Sequence, residues 1–213
     1  MDIHNQVLRQ LKNRREGFSL EQPFYIDPDY HKLDMEMIWY RDWLFIGHDC
    51  EVEKPGQYVT LQIGDYPVLV IRGRDGEIRA FHNTCRHRGH RVCTKETGSA
   101  TRLVCPYHQW TYQQDGSLMH ARHMGDNFDK SQYGLKPVHC QTVAGYIFIC
   151  LAQEAPDFGT VRATIEPYMG PHRLWEAKVA AQNTIIEKGN WKLVWENNRE
   201  CYHCAGNHPE LCR

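Results

Sequence analysis

Cys85-Arg86-His87-Arg88-Gly89-His90, and further on Cys105-Pro106-Tyr107-His108-Gln109-Trp110, form the stretch whose reading decides the fold. The first arm offers a thiol and an imidazole as C-x-H. Seventeen residues separate it from the second arm, which offers the same pair as C-x-x-H. Two thiolates and two imidazoles suit a [2Fe–2S] cluster with cysteines on one iron and histidines on the other. Cys₂His₂ is also a zinc set, but a zinc finger groups its cysteines in one pair and its histidines in another. Here each arm is mixed, which favours the cluster. Gly89 and Pro106 predict tight loops whose backbone N–H groups can bond the sulfides.

Around these arms the texture is that of a small antiparallel β domain. Leu44-Phe45-Ile46, Tyr58-Val59-Thr60-Leu61, Val68-Leu69-Val70-Ile71, Val138–Gln141 and Tyr146–Leu151 read as strands. Asp75-Gly76 and Asp115-Gly116 read as hairpin turns. Upstream, Ile3, Val7 and Leu11 recur at helical spacing among Arg9, Lys12, Arg14 and Arg15 and predict a surface helix. Asp2, Glu16 and the lack of serine argue against an organellar targeting helix. A second helix is expected from Pro28, capped by Asp27, to about Arg41. Downstream, the patterns predict a short helix over Thr164–Tyr168 and a strand over Ala177–Glu187. A helix is expected over Trp191–Cys204, with Trp191, Val194, Trp195 and Asn198 on one face and Gly206 ending it. No internal repeat or low-complexity linker interrupts the chain.

The chain has 213 residues, Lys+Arg 25 against Asp+Glu 26, nine Cys and thirteen His. A net charge of −1 offers no basic field for phosphate backbones, so a nucleic-acid partner is not expected. The longest apolar run, Val143–Ala152, is ten residues, against the roughly 20 a membrane helix needs. An odd cysteine count and an N-terminus without an apolar signal core argue for reduced thiols in the cytoplasm rather than a secreted disulfide framework. Surplus imidazoles beside such thiols point to metal.

A second constellation lies near the end: Glu196-Asn197-Asn198-Arg199-Glu200-Cys201-Tyr202-His203-Cys204-Ala205-Gly206-Asn207-His208-Pro209-Glu210-Leu211. Its core is Glu200-x-x-His203-x₄-His208. On a helix, Glu200 and His203 would share a face, and the break at Gly206 would let His208 swing back toward His203. Two converging imidazoles begin a 2-His-1-carboxylate site, which leaves positions open on ferrous iron. The same spacing alone also fits zinc or two surface histidines. Cys201-x-x-Cys204 invites a redox reading, but a redox pair belongs at a helix N-terminus. Here the expected helix places it at the C-terminal end, so both cysteines read as packing residues, as does Cys93.

The two-loop pattern resembles the Rieske family over about residues 45 to 155. That resemblance puts Cys85 and Cys105 on one iron and His87 and His108 on the other. Respiratory-chain members carry two further cysteines in a disulfide between the loops. His90 and Tyr107 hold those positions here, which suits the oxygenase or ferredoxin branch. Arg86, Arg88 and Arg91 then read either as a docking face for an acidic electron donor or as solvated or carboxylate-paired loop charges.

The pattern followed by Glu200-x-x-His203-x₄-His208 resembles the large subunit of Rieske non-haem iron oxygenases. The fold this implies is α+β: a helical segment over 1–44, the antiparallel Rieske domain over 45–155, and the start of a helix-grip catalytic domain over 156–213. His203 and His208 would bind a mononuclear Fe(II). Glu200 would bridge toward a cluster histidine of a neighbouring subunit, or else serve only as the i,i+3 partner of His203. The third ligand of such sites is a carboxylate far downstream, and no residue before Arg213 takes that role, so the chain reads as the front half of an oxygenase.

The run from Glu196 to Cys204, with Asn207-His208-Pro209-Glu210-Leu211, resembles quaternary-ammonium oxygenases, glycine betaine demethylating ones above all. The implied reaction is oxidative N-demethylation using O₂. Its electrons would come from NAD(P)H through a flavin and iron–sulfur reductase, in a homotrimer or a multiple of one. An aromatic cage for the small cationic substrate is expected; Trp191 and Trp195 read more readily as core packing. An aromatic-ring dioxygenase and a stand-alone Rieske electron carrier are the competing readings. The second constellation speaks against the carrier, which needs no second iron.

Overall fold

Val68-Leu69-Val70-Ile71 has no polar side, and the structure puts all four side chains fully out of water. A strand apolar on both faces must lie inside a sheet that is covered twice. The computed structural model describes residues 2–212. The chain separates into two compact units, one formed by the N-terminal segment to Met37 together with the stretch from Gln182, the other by Ile38–Ala181.

The larger unit carries ten strands: β1 (Leu44–His48), β2 (Gln57–Ile63), β3 (Tyr66–Arg72), β4 (Ile78–His82), β5 (Thr97–Ser99), β6 (Leu103–Val104), β7 (Thr111–Tyr112), β8 (Leu118–His120), β9 (Pro137–Val143) and β10 (Tyr146–Cys150). Seven form an antiparallel sheet in the order β1-β10-β9-β4-β3-β2-β5, and β6-β7-β8 form a second, small sheet. Alternation along β3 feeds two cores. Val68 and Val70 pack with Val52, Ala80, Val138, Ile147 and Ile149. Leu69 and Ile71 pack with Phe81, Leu103, Trp110 and Tyr112, and this second core also contains Cys85 and Cys105. Cys85 and Cys105 are thus anchored in a buried core.

The Asp-Gly turns form as expected. Gly76 and Gly116 both take φ +85, and Asp75 and Asp115 accept hydrogen bonds from the backbone two residues on. At Gly116 the requirement is double, because a Cβ there would overlap the Phe81 ring. The short helix expected over Thr164–Tyr168 is longer, Gly159–Met169, and docks through Val161 and Ile165 on a cluster of Val143, Phe148 and Phe158.

In the smaller unit, α1 (Ile3–Lys12) is capped by Asp2 and buries no residue. After it come α2 (Pro23–Ile26) and α3 (Pro28–Asp34), the latter capped by Asp27 and continued by a π-turn over Met35–Trp39. Numbering the Gly159–Met169 helix α4, α5 spans Trp191–Arg199 and α6 spans Cys204–Asn207. α5 is held to α3 by a buried ion pair of Lys192 with Asp34. The Phe24 carbonyl also accepts from Lys192 Nζ at 3.1 Å, and Trp191 Nε1 donates to Asp34 at 3.1 Å.

Three sequence expectations need correction here. Ala177–Glu187 takes no regular structure and joins no sheet among the described residues, and a strand needs a partner that satisfies its N–H and C=O groups. The helix expected over Trp191–Cys204 stops at Arg199, because Glu200 leaves helical geometry (φ −110, ψ 122). The face expected to pack is exposed at Val194 and Trp195, and Trp195 instead meets the Arg199 guanidinium. Lys192 is the buried residue of this helix.

Candidate metal centres

The two cluster arms fold into loops with the same backbone circuit. In the first, Cys85 N–H donates to the His90 carbonyl at 2.8 Å and Gly89 N–H to the Cys85 carbonyl at 3.0 Å. In the second, Cys105 N–H donates to the Trp110 carbonyl and Gln109 N–H to the Cys105 carbonyl, both at 2.9 Å. Both circuits turn back at the fourth residue after the cysteine, which takes positive φ: Gly89 at +73 and Gln109 at +62. Glycine adopts this at no cost and glutamine does not, so the second loop depends more on its surroundings. The first loop is also clamped by Asn83, whose buried side chain accepts from Val92 N–H (3.1 Å) and Cys93 N–H (2.9 Å) and donates to the Cys93 carbonyl (2.7 Å).

These circuits bring the four donors together as two like pairs. Cys85 and Cys105 are buried in the same core cluster. The His87 and His108 rings are exposed, with centroids 4.6 Å apart. Among the described residues no three His, Cys, Asp or Glu side chains form a single-ion site, here or at the second constellation. A cysteine pair inside and a histidine pair outside would suit a dinuclear cluster, each iron taking two protein ligands.

Burial pushes the Cys105 thiol up, opposed by the Tyr107 and His108 N–H groups directed at its sulfur. His108 is held below the ordinary imidazole value by desolvation, then by His87 and Arg88, so its neutral, ligating form is favoured. Trp110 is buried and stacks on the His87 ring at 5.1 Å.

Sequence reasoning missed Tyr112. Its hydroxyl lies 3.2 Å from Cys85 Sγ and accepts the Arg86 N–H at 3.0 Å. With that lone pair engaged, the phenol proton is free to point at the sulfur. His90 and Tyr107 face each other between the loops, ring centroids 5.7 Å apart. Arg86, Arg88 and Arg91 are exposed, and none forms an ion pair among the described residues, which fits both solvated loop charges and a docking face. Cys93 packs as expected, and burial raises its thiol to about 11.

The second constellation is built differently. Glu200, His203 and His208 do not share a helix face. Glu200 is extended, His203 precedes α6, and His208 follows it. They are nonetheless close: Glu200 Oε2 lies 3.2 Å from His203 Nδ1, and the His203 and His208 rings are 5.6 Å apart at 80°. The second Glu200 oxygen accepts the Tyr202 N–H. The hydrogen bond from His203 holds the Glu200 carboxyl below its ordinary value. With Nδ1 engaged, His203 has Nε2 free for a metal. Cys201 is exposed and Cys204 half-buried, so the packing reading of this pair is corrected.

The comparisons agree with this layout. The Rieske [2Fe-2S] domain family matches residues 42–141, and the ring hydroxylating alpha subunit catalytic domain matches 174–213. The chain is 54% identical over 204 residues to the glycine betaine monooxygenase oxygenase subunit of Pseudomonas aeruginosa (strain UCBPP-PA14), covering 95% of this chain and 48% of that one. It is 33% identical over 204 residues to the carnitine monooxygenase oxygenase subunit of Escherichia coli (strain K12), covering 92% and 54%. A crystal structure of a quaternary ammonium Rieske monooxygenase with L-carnitine superposes with TM-score 0.81 at 31% identity, covering 89% of this chain and 55% of that one. The chain thus spans about half the length of the curated relatives it matches. It belongs to the Rieske non-haem iron oxygenases and corresponds to the N-terminal half of their large subunit.

Proposed function

We propose that the protein is the terminal oxygenase component of a quaternary-ammonium N-demethylase, with glycine betaine as substrate. Identity of 54% to a glycine betaine monooxygenase subunit, against 33% to a carnitine one at similar coverage, carries the substrate class. The catalytic-domain match over 174–213 weighs against a stand-alone electron carrier.

In this reading Cys85 and Cys105 hold one iron of a [2Fe–2S] cluster and His87 and His108 the other, while His203 and His208 hold a mononuclear Fe(II). When bound, the cluster supplies one-electron transfer and the single iron supplies O₂ activation. With Cys85 and Cys105 buried and His87 and His108 exposed, the histidine side is the one a redox partner would approach. Glu200 fixes His203 through Nδ1 and serves as the bridge toward a cluster histidine of a neighbouring subunit. Arg86, Arg88 and Arg91 form a docking face for the electron donor, an NAD(P)H-dependent flavin and iron–sulfur reductase. The working form is a cytoplasmic homotrimer or a multiple of one.

A quaternary nitrogen has no lone pair, so reaction falls on a methyl C–H bond. With O₂, two electrons and two protons, one oxygen enters the methyl group and the other leaves as water. The hydroxylated methyl departs as formaldehyde, leaving dimethylglycine. Full-length protein with reductase, NADH and glycine betaine is expected to release formaldehyde in step with NADH consumed. No formaldehyde, with a cis-diol formed from an arene instead, would reject this function. Glu200→Gln is expected to keep the cluster's visible spectrum while blocking its oxidation by O₂ in the presence of substrate. An unchanged oxidation rate would remove the bridging role.

A further inference from the structure

Cys201 and Cys204 are not part of either metal set, yet they bracket Tyr202 and His203. α5 ends at Arg199 and α6 starts at Cys204, so the pair spans a turn rather than a helix end. That turn is closed by Cys204 N–H donating to the Cys201 carbonyl at 3.0 Å. A hydrogen bond from residue i+3 to residue i holds the two Cα atoms within about 7 Å, and disulfides need roughly 4.4–6.8 Å. Cys201 is exposed and Cys204 half-buried, and redox-sensing thiols are solvent-accessible and sit beside a resolving cysteine.

We propose that Cys201 and Cys204 form a reversible disulfide that reports peroxide at the His203 site and weakens its grip on iron. The oxidant is a hydroperoxide, hydrogen peroxide in the simplest case. The Cys201 sulfur attacks one peroxide oxygen, giving a sulfenic acid and one water. The Cys204 sulfur then attacks the sulfenic sulfur, forming the S–S bond and releasing the second water. Two thiols and one H₂O₂ become one disulfide and two H₂O, and a dithiol reverses the change.

The effect on iron follows from the same turn. Glu200 accepts from Tyr202 N–H and from His203 Nδ1, and both donors lie between the two sulfurs. Drawing Cys201 onto Cys204 reshapes the two residues that Glu200 holds. Loss of an outer hydrogen bond on a ligating histidine costs about ten-fold or more in metal affinity. This coupling rests on the reading of His203 as an iron ligand; disulfide formation does not.

The test treats anaerobic full-length protein with stoichiometric hydrogen peroxide, followed by mass spectrometry without reduction. The segment Glu200–Arg213 is a single tryptic peptide. It is expected to lose about two mass units, through a bond placed between Cys201 and Cys204. The loss should persist in Cys212→Ser and vanish in Cys201→Ser. Chelator competition should then show Fe(II) held about ten-fold more weakly, restored by dithiothreitol, with no such change in Cys201→Ser. A bond to Cys212 instead, or sulfinic acid without any bond, overturns the proposal. An unchanged Fe(II) affinity after the bond forms also overturns it; if His203→Ala still loses iron, the iron site survives that failure. Iron affinity insensitive to His203→Ala would instead remove the iron site and the switch with it.

Discussion

The two metal constellations use similar donors and reach their geometry by opposite means. At the cluster, each arm closes on itself through two backbone hydrogen bonds, and the cysteines sit in the core shared by the large sheet and the three-stranded one. The arrangement needs nothing beyond its own unit. At the second constellation, the donors ride on a four-residue helix and its flanks, mostly exposed, joined by one carboxylate–imidazole contact. A cluster that shuttles electrons gains from rigidity, since little reorganises on reduction. On the proposed function, a site that admits O₂ and substrate would need open positions.

The sharpest way to break the contrast is to remove a cluster donor. Cys105→Ser should abolish the visible absorption entirely while the seven-stranded sheet still folds, as judged by circular dichroism. If the colour survived, the two-loop reading would be wrong. Next in size is the support beneath the second constellation. Lys192→Met leaves Asp34 buried without its cation, and breaking such a pair costs about 3–5 kcal/mol. Denaturant unfolding should register that loss with the cluster spectrum unchanged; a cluster lost in parallel would mean the two sites are not independently built. The smallest effect belongs to Tyr112→Phe. Removing one hydrogen bond to Cys85, about 1–1.5 kcal/mol, disfavours the more negative reduced cluster. It should lower the potential by about 40–60 mV for one electron. A potential that did not move would show that the phenol proton points elsewhere.

How much could be read beforehand follows the same divide. The two loop arms were legible because their pattern is local: the Cys and His residues and the turn residues lie within two short runs. Tyr112 was not, since it acts on a loop it reaches only through the fold, and Asn83, though it adjoins the first loop, bonds Val92 and Cys93 across it, which no local pattern announces. β4 escaped because Ile78-Arg79-Ala80-Phe81-His82 is short and half polar, and it becomes a strand by lying between β3 and β9. β5 to β8 are two or three residues each, too brief for periodicity to register. The end of α5 was misplaced because the apolar spacing of Trp191, Val194 and Trp195 runs on smoothly. What stops it is Glu200, turning aside to bind Tyr202 and His203. Ala177–Glu187 carries strand composition, but the described residues supply no neighbour to pair with it.

Two separate iron centres in one chain can be counted: iron and acid-labile sulfide are measured in anaerobically purified full-length protein and in His203→Ala. The expected result is three irons per two sulfides in the first. In the variant, two per two are expected, with the visible spectrum unchanged. One metal per chain with no sulfide would contradict this, and so would a variant that lost all its iron together.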